Sequence, residues 1–390
     1  MDSAARKIEA IDAPGVKAEG QLLWNLRKEV AALMKRSQTN FPGAQPVSFT
    51  RRHIDELRQK DYYVCEKSDG IRYLLYLTAD ESGRECHYLI DRKNDFWYLN
   101  HRNLHFPLPN DIEAFHTHTL VDGELVMDDL GGGVMEPKFL VFDCIVLDNK
   151  PLMERTLDKR LGYFKENVFK PYSALFEQFP EEARYMAFKV EMKEMQFSYG
   201  IEMMFRQVLP TLKHGNDGLI FTCRDSEYRP GTDPHILKWK PVTENTVDFR
   251  LRLHFPLVQP DEDDAAEGVT APYVDYDSVP QAELWAFYGD GGGGEPYRYF
   301  AELFLSEEDW EAMKACGDPL VNRVVECAMD EQGRWRIHRF RDDKLEANHI
   351  SVVSSVMDSI RDGVGERELL DAAKSIKDSW KSRQAQQQRR

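Results

Sequence analysis

Apolar residues from Gln21 to Arg36 (Leu22, Leu26, Val30, Leu33 and Met34) recur at helical spacing, and a polar, proline-containing break, TNFPGAQP, ends the run. Between Tyr62 and Val146 the pattern changes to short apolar runs parted by turn residues: DYYVCE, RYLLYLT, HYLIDR, DFWYL, TLVDGELV and KFLVFDCIVL. Such runs predict a predominantly antiparallel sheet. Helical spacing returns over Met153 to Asn167 and around Met195 to Leu212, and DGLIFTC and ILKWKP read as two more strands. After Pro241 the composition shifts. TVDFRLRLHF, ELWAFY, PYRYFAELFL and RVVECAMDEQGRWRIHRFR are strand-like, with a short helix, SEEDWEAMKACG, among them. About 100 residues with roughly five strands and one helix predict a small OB-type barrel. The acidic stretch Asp261 to Glu267 and the glycine run Gly291 to Gly294 are expected to be solvated loops. From Ile350 to Ser382 the chain reads as helical, with Ile350, Val353, Val356, Met357 and Ile360 on one face that needs a partner. That partner is expected to be the first domain, and the tail QAQQQRR is expected to fray.

Composition narrows the class. With 42% hydrophobic residues in 390, the chain can bury proper cores, which excludes wholesale disorder. No apolar run approaches the roughly 18 residues of a membrane helix, and Met1 to Lys17 is polar, unlike a secretory signal. A soluble protein with no membrane partner is expected. The net charge of −16 argues against a protein that coats duplex DNA, yet it permits a local basic cleft. Cys65, Cys86, Cys144, Cys223, Cys316 and Cys327 form no CxxC pair and read as reduced thiols.

The chemistry begins with Lys67, in EKSDGIR, which leaves an apolar strand at a turn whose glycine permits close approach of a ligand. A lysine amine is nucleophilic only when desolvation or neighbouring cations favour its neutral form. Taken alone, the tetrapeptide is ordinary. Lys238 and Lys240, in ILKWK, lie two apart on a strand and so leave the same face, where phosphate would relieve their repulsion. Asp122 and Glu124 have the same spacing, suited to a metal or to ribose hydroxyls. Arg92 comes from LIDRKNDFWYL, Phe142 and Asp143 from FLVFDCIV, and Asp217 from DGLIF. WRIHRFRDDK adds Arg339 and Arg341, whose forks suit phosphate oxygens, followed by Asp343 and Lys344. Together these groups describe a nucleoside triphosphate site completed by domain closure.

The ordered set KSDGIR, LIDRKNDFWYL, TLVDGELV, FLVFDCIV, DGLIF, ILKWKP and WRIHRFRDDK resembles the covalent nucleotidyltransferase superfamily. FPGAQPVSF, MQFSYG and NTVDFRL narrow the resemblance to mRNA capping guanylyltransferases of fungal type, over roughly Leu22 to His349. The resemblance implies an α+β fold: a ligase-type, ATP-grasp-like nucleotidyltransferase domain with antiparallel sheets at 1–241, an OB-fold barrel at 242–345, and C-terminal helices at 346–390 packing back on the first domain. It further implies that Lys67 attacks the α-phosphate of GTP, forming lysyl-GMP, and that the GMP passes to the 5′-diphosphate end of nascent mRNA as a GpppN cap. Within the GTP-binding set that it implies, Ser68 adjoins the nucleophile, Arg72 and Glu124 contact ribose, and Arg92 lies near ribose and phosphates. Phe142 stacks on guanine, and Lys193 reads the guanine edge, with Lys189 as an alternative. Lys238 and Lys240 hold the α-phosphate, and Asp217 lies near the metal and the reacting phosphate. Arg339, Arg341 and Lys344, with Asp343 in the same motif, engage the β and γ phosphates. Magnesium is the implied cofactor, with manganese as a substitute. Ala347 stands where the family often has proline, which leaves those charged positions intact.

The chain has no His-Cys pair, hence no HCxxxxxR phosphatase loop, and no acidic-tunnel triphosphatase segment. The resemblance therefore implies a separate RNA triphosphatase subunit, recruitment by the phosphorylated tail of RNA polymerase II, and a place in the nucleus. Two other functions compete: an ATP-dependent polynucleotide ligase, and a catalytically inactive scaffold that binds RNA or polymerase. Labelling by ATP in place of GTP would mark the first, and RNA binding without nucleotide transfer the second.

Overall fold

A computed structural model describes residues 15–99, 104–241, 244–266, 268–289, 295–317, 319–330 and 332–388. The chain divides into two units, Met1–Trp239 with Glu366–Arg390, and Lys240–Gly365. The first unit is built on two sheets. One orders its strands Val16–Lys17, Phe96–Tyr98, Glu85–Ile90, Ile71–Ala79, Thr119–Asp129, Met135–Leu147 and Lys150–Pro151, and Lys189–Met192 joins Met135–Leu147 in parallel. Its central strand is buried on both faces, which is why RYLLYLT reads as a continuous apolar run. On one face Tyr73, Leu75 and Leu77 pack with Phe164, Val168 and Tyr172 of the helical stretch after Thr156. On the other, Leu74 and Tyr76 pack with Leu26, Val30 and Met34, on and just beyond the helix Gly20–Leu33. Leu22, expected on that helix's buried face, is half exposed.

The second sheet orders Gln196–Phe197, Tyr62–Ser68, Asn216–Cys223, Gly231–Trp239 and Ala44–Ser48, the last pair parallel. The chain steps from this sheet to the first through the turn Asp69-Gly70. A Cβ at Gly70 would stand 2.5 Å from the Leu125 carbonyl oxygen, so only glycine fits this crossing. That step places the end of the Lys67 strand against the start of the Arg72 strand.

In the second unit, Thr246–His254, Gln281–Phe287, Tyr297–Leu303, Trp335–Phe340 and Val324–Met329 close into a barrel. The order first, second, third, fifth, fourth is that of an OB-fold, and Phe249, Leu251, Leu284, Val325 and Trp335 fill it.

The C-terminal helices depart from expectation. The face formed by Ile350, Val353, Val356, Met357 and Ile360, on the helix Ile350–Arg361, packs on the barrel core and not on the first domain. Only the next helix, Glu366–Gln387, returns to the first unit, against Arg51–Gln59. Arg58 donates to Ser375 at 3.0 Å, and the Trp380 ring lies 5.0 Å from Tyr199 and 5.5 Å from Phe197. The tail is not frayed at 384: Arg383 pairs with Asp61 at 2.7 Å and the helix runs on to Gln387. Met195 to Leu212 is not one regular helix. A two-residue strand and tight and wide helical turns succeed one another around Gly200 and Pro210. The acidic stretch contains a short helix, Glu262–Ala266, and the glycine run at 291–294 lies outside the described residues. At the barrel's exit, the Ala347 N–H donates to the Tyr297 hydroxyl at 3.3 Å, a bond proline lacks.

Candidate active site

A cavity of about 120 Å³ lies between the two sheets of the first unit. Strand alternation builds one wall from Cys65, Lys67, Ile220, Thr222 and Ile236, and the other sheet supplies Arg72, Asp122, Glu124 and Phe142. Lys67 is, with Tyr63, one of two partly exposed members of an otherwise buried strand, and its ammonium donates to Asp217 Oδ1 at 2.6 Å. Burial pushes the neighbouring Cys65 thiol up to about 12, so it stays protonated and is no nucleophile.

Asp122 and Glu124 both reach the cavity, but they do not act as a pair. Asp122 is fully buried and accepts from Arg72 Nε at 2.9 Å, Arg72 Nη2 at 2.6 Å and the Tyr228 hydroxyl at 2.6 Å. Its oxygens are therefore not available to a metal or to ribose. Arg72 also donates to the Ala44 carbonyl. Three of its five N–H groups are thus engaged inside the protein, which makes it part of the wall before it is a ribose ligand. Asp143 is likewise taken up by Arg160, through bonds of 2.7 and 2.8 Å.

Phe142 lines the cavity because the pairing of Met135–Leu147 with Thr119–Asp129 slips between Val141 and Asp143, leaving Phe142 as the extra residue of a bulge. The Arg72 guanidinium and the Lys193 ammonium stand 5.5 and 6.0 Å from its ring centroid. Lys193 is buried and lines the cavity, donating to Ser68 Oγ at 2.6 Å with Glu66 at 3.5 Å and Glu124 at 3.7 Å. Lys189 is half exposed, pairs with Glu136 at 2.6 Å and is not among the cavity residues. Burial acts to lower the Lys193 pKa, but the carboxylates of Glu66 and Glu124 raise it. Burial raises Glu124, against the pull of Lys193, Lys67, Arg72 and Arg92. This end of the cavity alternates charges whose partners are already within the protein.

Exposed Arg92 stands at the cavity's rim, in the turn before Phe96–Tyr98. Lys238 shares a strand face with Ile236, a cavity residue, while Lys240 follows the end of that strand and falls in the second unit. Arg339, Arg341, Asp343 and Lys344 belong to the barrel unit. Arg339 pairs with Glu326 at 2.6 Å, Arg341 with Asp343 at 2.7 Å and Asp248 at 3.2 Å, and Lys344 also with Asp248. Sequence reasoning missed Glu66, Arg160, Tyr228 and His214. The only local signal was that Glu66 and His214 adjoin KSDG and NDGLIF.

Among the described residues, no group of three or more His, Cys, Asp or Glu is disposed to hold a metal ion. Asp217 pairs with Lys67. This donor set fits a magnesium ion that takes most of its ligands from substrate phosphates and water, the usual manner for that ion.

Comparison with known proteins agrees with this geometry. The profile of the mRNA capping enzyme catalytic domain matches residues 8–242, and that of the mRNA capping enzyme C-terminal domain matches residues 244–370. The mRNA-capping enzyme subunit alpha of Neurospora crassa is 61% identical over 96% of this chain and 95% of its own. The subunit of the same name from Schizosaccharomyces pombe is 41% identical over 98% and 92%, and that of Saccharomyces cerevisiae 35% over 96% and 88%. Among solved structures, a mycobacterial DNA ligase D complexed with ATP and MES covers 77% of this chain and 95% of its own at TM-score 0.37 and 17% identity, too slight a likeness to argue from. A cavity with a lysine nucleophile candidate, an OB barrel and end-to-end similarity to these subunits lead to one conclusion: the chain belongs to the mRNA capping enzyme family.

Proposed function

We propose that the chain is an mRNA guanylyltransferase working through a lysyl-GMP intermediate at Lys67. The observation that carries this is the position of Lys67 on the wall of a cation-rich cavity, with Asp217 at 2.6 Å and an aromatic face, Phe142, beside Lys193. In the first step the Lys67 amine forms a P–N bond to the α-phosphorus of GTP while the bond to pyrophosphate breaks. The proton leaving the amine has an acceptor in Asp217. In the second step a terminal oxygen of 5′-diphosphate RNA attacks the same phosphorus and releases the amine. Cations aimed at the phosphoryl oxygens stabilise charge that grows in both transition states. Lys238 and Lys240 take that role at the α-phosphate, and Arg339, Arg341 and Lys344 at the β and γ phosphates. Asp217, with the substrate phosphates, would hold a magnesium ion, which would supply charge neutralisation for the leaving pyrophosphate. Phe142 offers guanine a stacking face and Lys193 a hydrogen-bond donor, with Ser68 bonded to that amine; Glu124 and Arg92 remain for the ribose.

The name "subunit alpha" borne by the relatives supports a second subunit, which we assign the RNA triphosphatase step. Work on nascent mRNA would suit a place in the nucleus and recruitment by the phosphorylated polymerase tail. The test is to mix the protein with α-labelled GTP and magnesium, denature it, and look for label on the 45.3 kDa chain, with labelled ATP in parallel. Acid-labile, alkali-stable label from GTP alone is expected. Label from ATP alone would make the chain a ligase, and none from either, with the protein folded, would make it a scaffold.

A further inference from the structure

Behind the cavity, away from the phosphate-binding lysines, lies a second charged group that the proposed chemistry does not use. His214 sits in the loop between the helical turn Leu209–Thr211 and the strand Asn216–Cys223. Backbone bonds fix that loop on both sides: Asp129 N–H donates to the Lys213 carbonyl, and Asp69 N–H to the Gly215 carbonyl, each at 2.8 Å. The imidazole is thereby set between two buried carboxylates. Its Nδ1 lies 2.7 Å from Asp128 Oδ1, and its Nε2 3.8 Å from Glu66 Oε1. The second distance is too long for a hydrogen bond, and Nε2 is buried with no other partner. Asp128 is itself shared with Lys138 at 3.0 Å, and Glu66 with Lys193 at 3.5 Å.

We propose that His214 is a positioning residue for base recognition: its positive charge occupies Glu66 from behind and so leaves Lys193 free to face the cavity. This rests on the reading of Lys193 as the guanine-edge donor. Lys193 has two carboxylates at nearly equal range, Glu66 on the inner side and Glu124 on the cavity side, 3.5 and 3.7 Å away. With the His214 cation in place, the charge of Glu66 is divided between two partners. Without it, Glu66 is a buried carboxylate with one cation, and the ammonium is drawn inward, away from Phe142 and the base. The His214 ring lies against Asp128 and Glu66, on the side of Lys193, so the phosphoryl chemistry at Lys67 is expected to be much less affected.

The test compares wild type, His214→Gln, and His214→Gln combined with Glu66→Gln, each checked by thermal melting and circular dichroism. The assay is lysyl-nucleotide formation with GTP and with ATP. His214→Gln is expected to raise KM for GTP about ten- to hundredfold, the worth of a hydrogen bond to a charged group, and to narrow the preference for GTP over ATP, with a far smaller change in kcat. Neutralising Glu66 in the same chain is expected to restore most of both, because the unbalanced charge is then gone. A merely structural histidine would not be rescued by changing Glu66. Unchanged KM and preference in a folded His214→Gln protein would overturn the proposal, as would failure of the double variant to recover. If wild type itself forms no adduct with GTP, the guanylyltransferase reading falls first, and the two failures are distinguishable.

Discussion

The cavity of the first unit and the cationic strand of the barrel carry the same kinds of groups in different states. In the cavity, Arg72 and Lys193 are buried and held by Asp122, Ser68 and flanking glutamates. On the barrel, Arg339 and Lys344 are one-third or more exposed and pair with Glu326 and Asp248, while Arg341 is mostly buried against Asp248 and reaches out to the exposed Asp343. Buried pairs fix geometry, since breaking one leaves an uncompensated charge in low dielectric. Exposed pairs exchange partners cheaply. The difference teaches where permanence is needed: the pocket's charges are held by buried partners, while exposed cations such as Arg339 and Lys344 are free to exchange theirs.

The most severe break is at the nucleophile. Lys67→Arg keeps the charge and loses the attacking amine, so covalent GMP should vanish from a protein whose circular dichroism and melting are those of wild type; label on that variant would remove Lys67 from its role. Asp122→Asn tests permanence within the cavity. It leaves Arg72 without its counter-charge, and chemical denaturation should show a loss of about 3–5 kcal/mol. A loss under about 1 kcal/mol would place this pair with the exchangeable ones. Arg341→Ala tests the barrel. Adduct formation from GTP should slow about tenfold or more, with much less effect on transfer from preformed lysyl-GMP to RNA. Equal slowing of both steps would count against assigning Arg341 to the departing phosphates.

The smallest expected effect is on the pH dependence of stability. Burial acts to lower the His214 pKa, but Glu66 and Asp128 raise it above the usual 6.5. A histidine raised on folding stabilises fully below its unfolded value, and the gain is lost as pH climbs through the folded one. As pH rises above about 6.5 the melting temperature of wild type should therefore fall more steeply than that of His214→Gln. Parallel curves would show that the imidazole carries no charge in the folded chain.

Local pattern made the strands legible: the short apolar runs DYYVCE, DGLIFTC and RYLLYLT mark strands whose alternate side chains face the cavity. The KSDG turn was legible too, since its glycine answers a close backbone approach. What failed to show was pairing at long range. Nothing in the sequence near Asp122 announces that Arg72 and Tyr228 will take its oxygens, so Asp122 and Glu124 read as equals there. Lys189 and Lys193 could not be separated while their strand's neighbour was unknown; the Lys193 N–H bonded to the Val141 carbonyl at 2.8 Å fixes which one lies beside Phe142. The helix Arg51–Gln59 escaped notice because only His53, Ile54 and Leu57 are buried in it, too few to set a period.

The return of Glu366–Gln387 to the first unit has a consequence for how the molecule is made. Synthesis runs from the N-terminus, so the whole barrel is translated before the last helix of the first unit emerges. Until then Phe197 and Tyr199 wait without Trp380, and Asp61 without Arg383. A chain whose translation stops just after the barrel holds every charged residue assigned to catalysis, yet it shows an uncovered aromatic face, the kind of surface that chaperones and proteases detect. The helix Glu366–Gln387 thus completes the first unit from outside the catalytic sequence motifs.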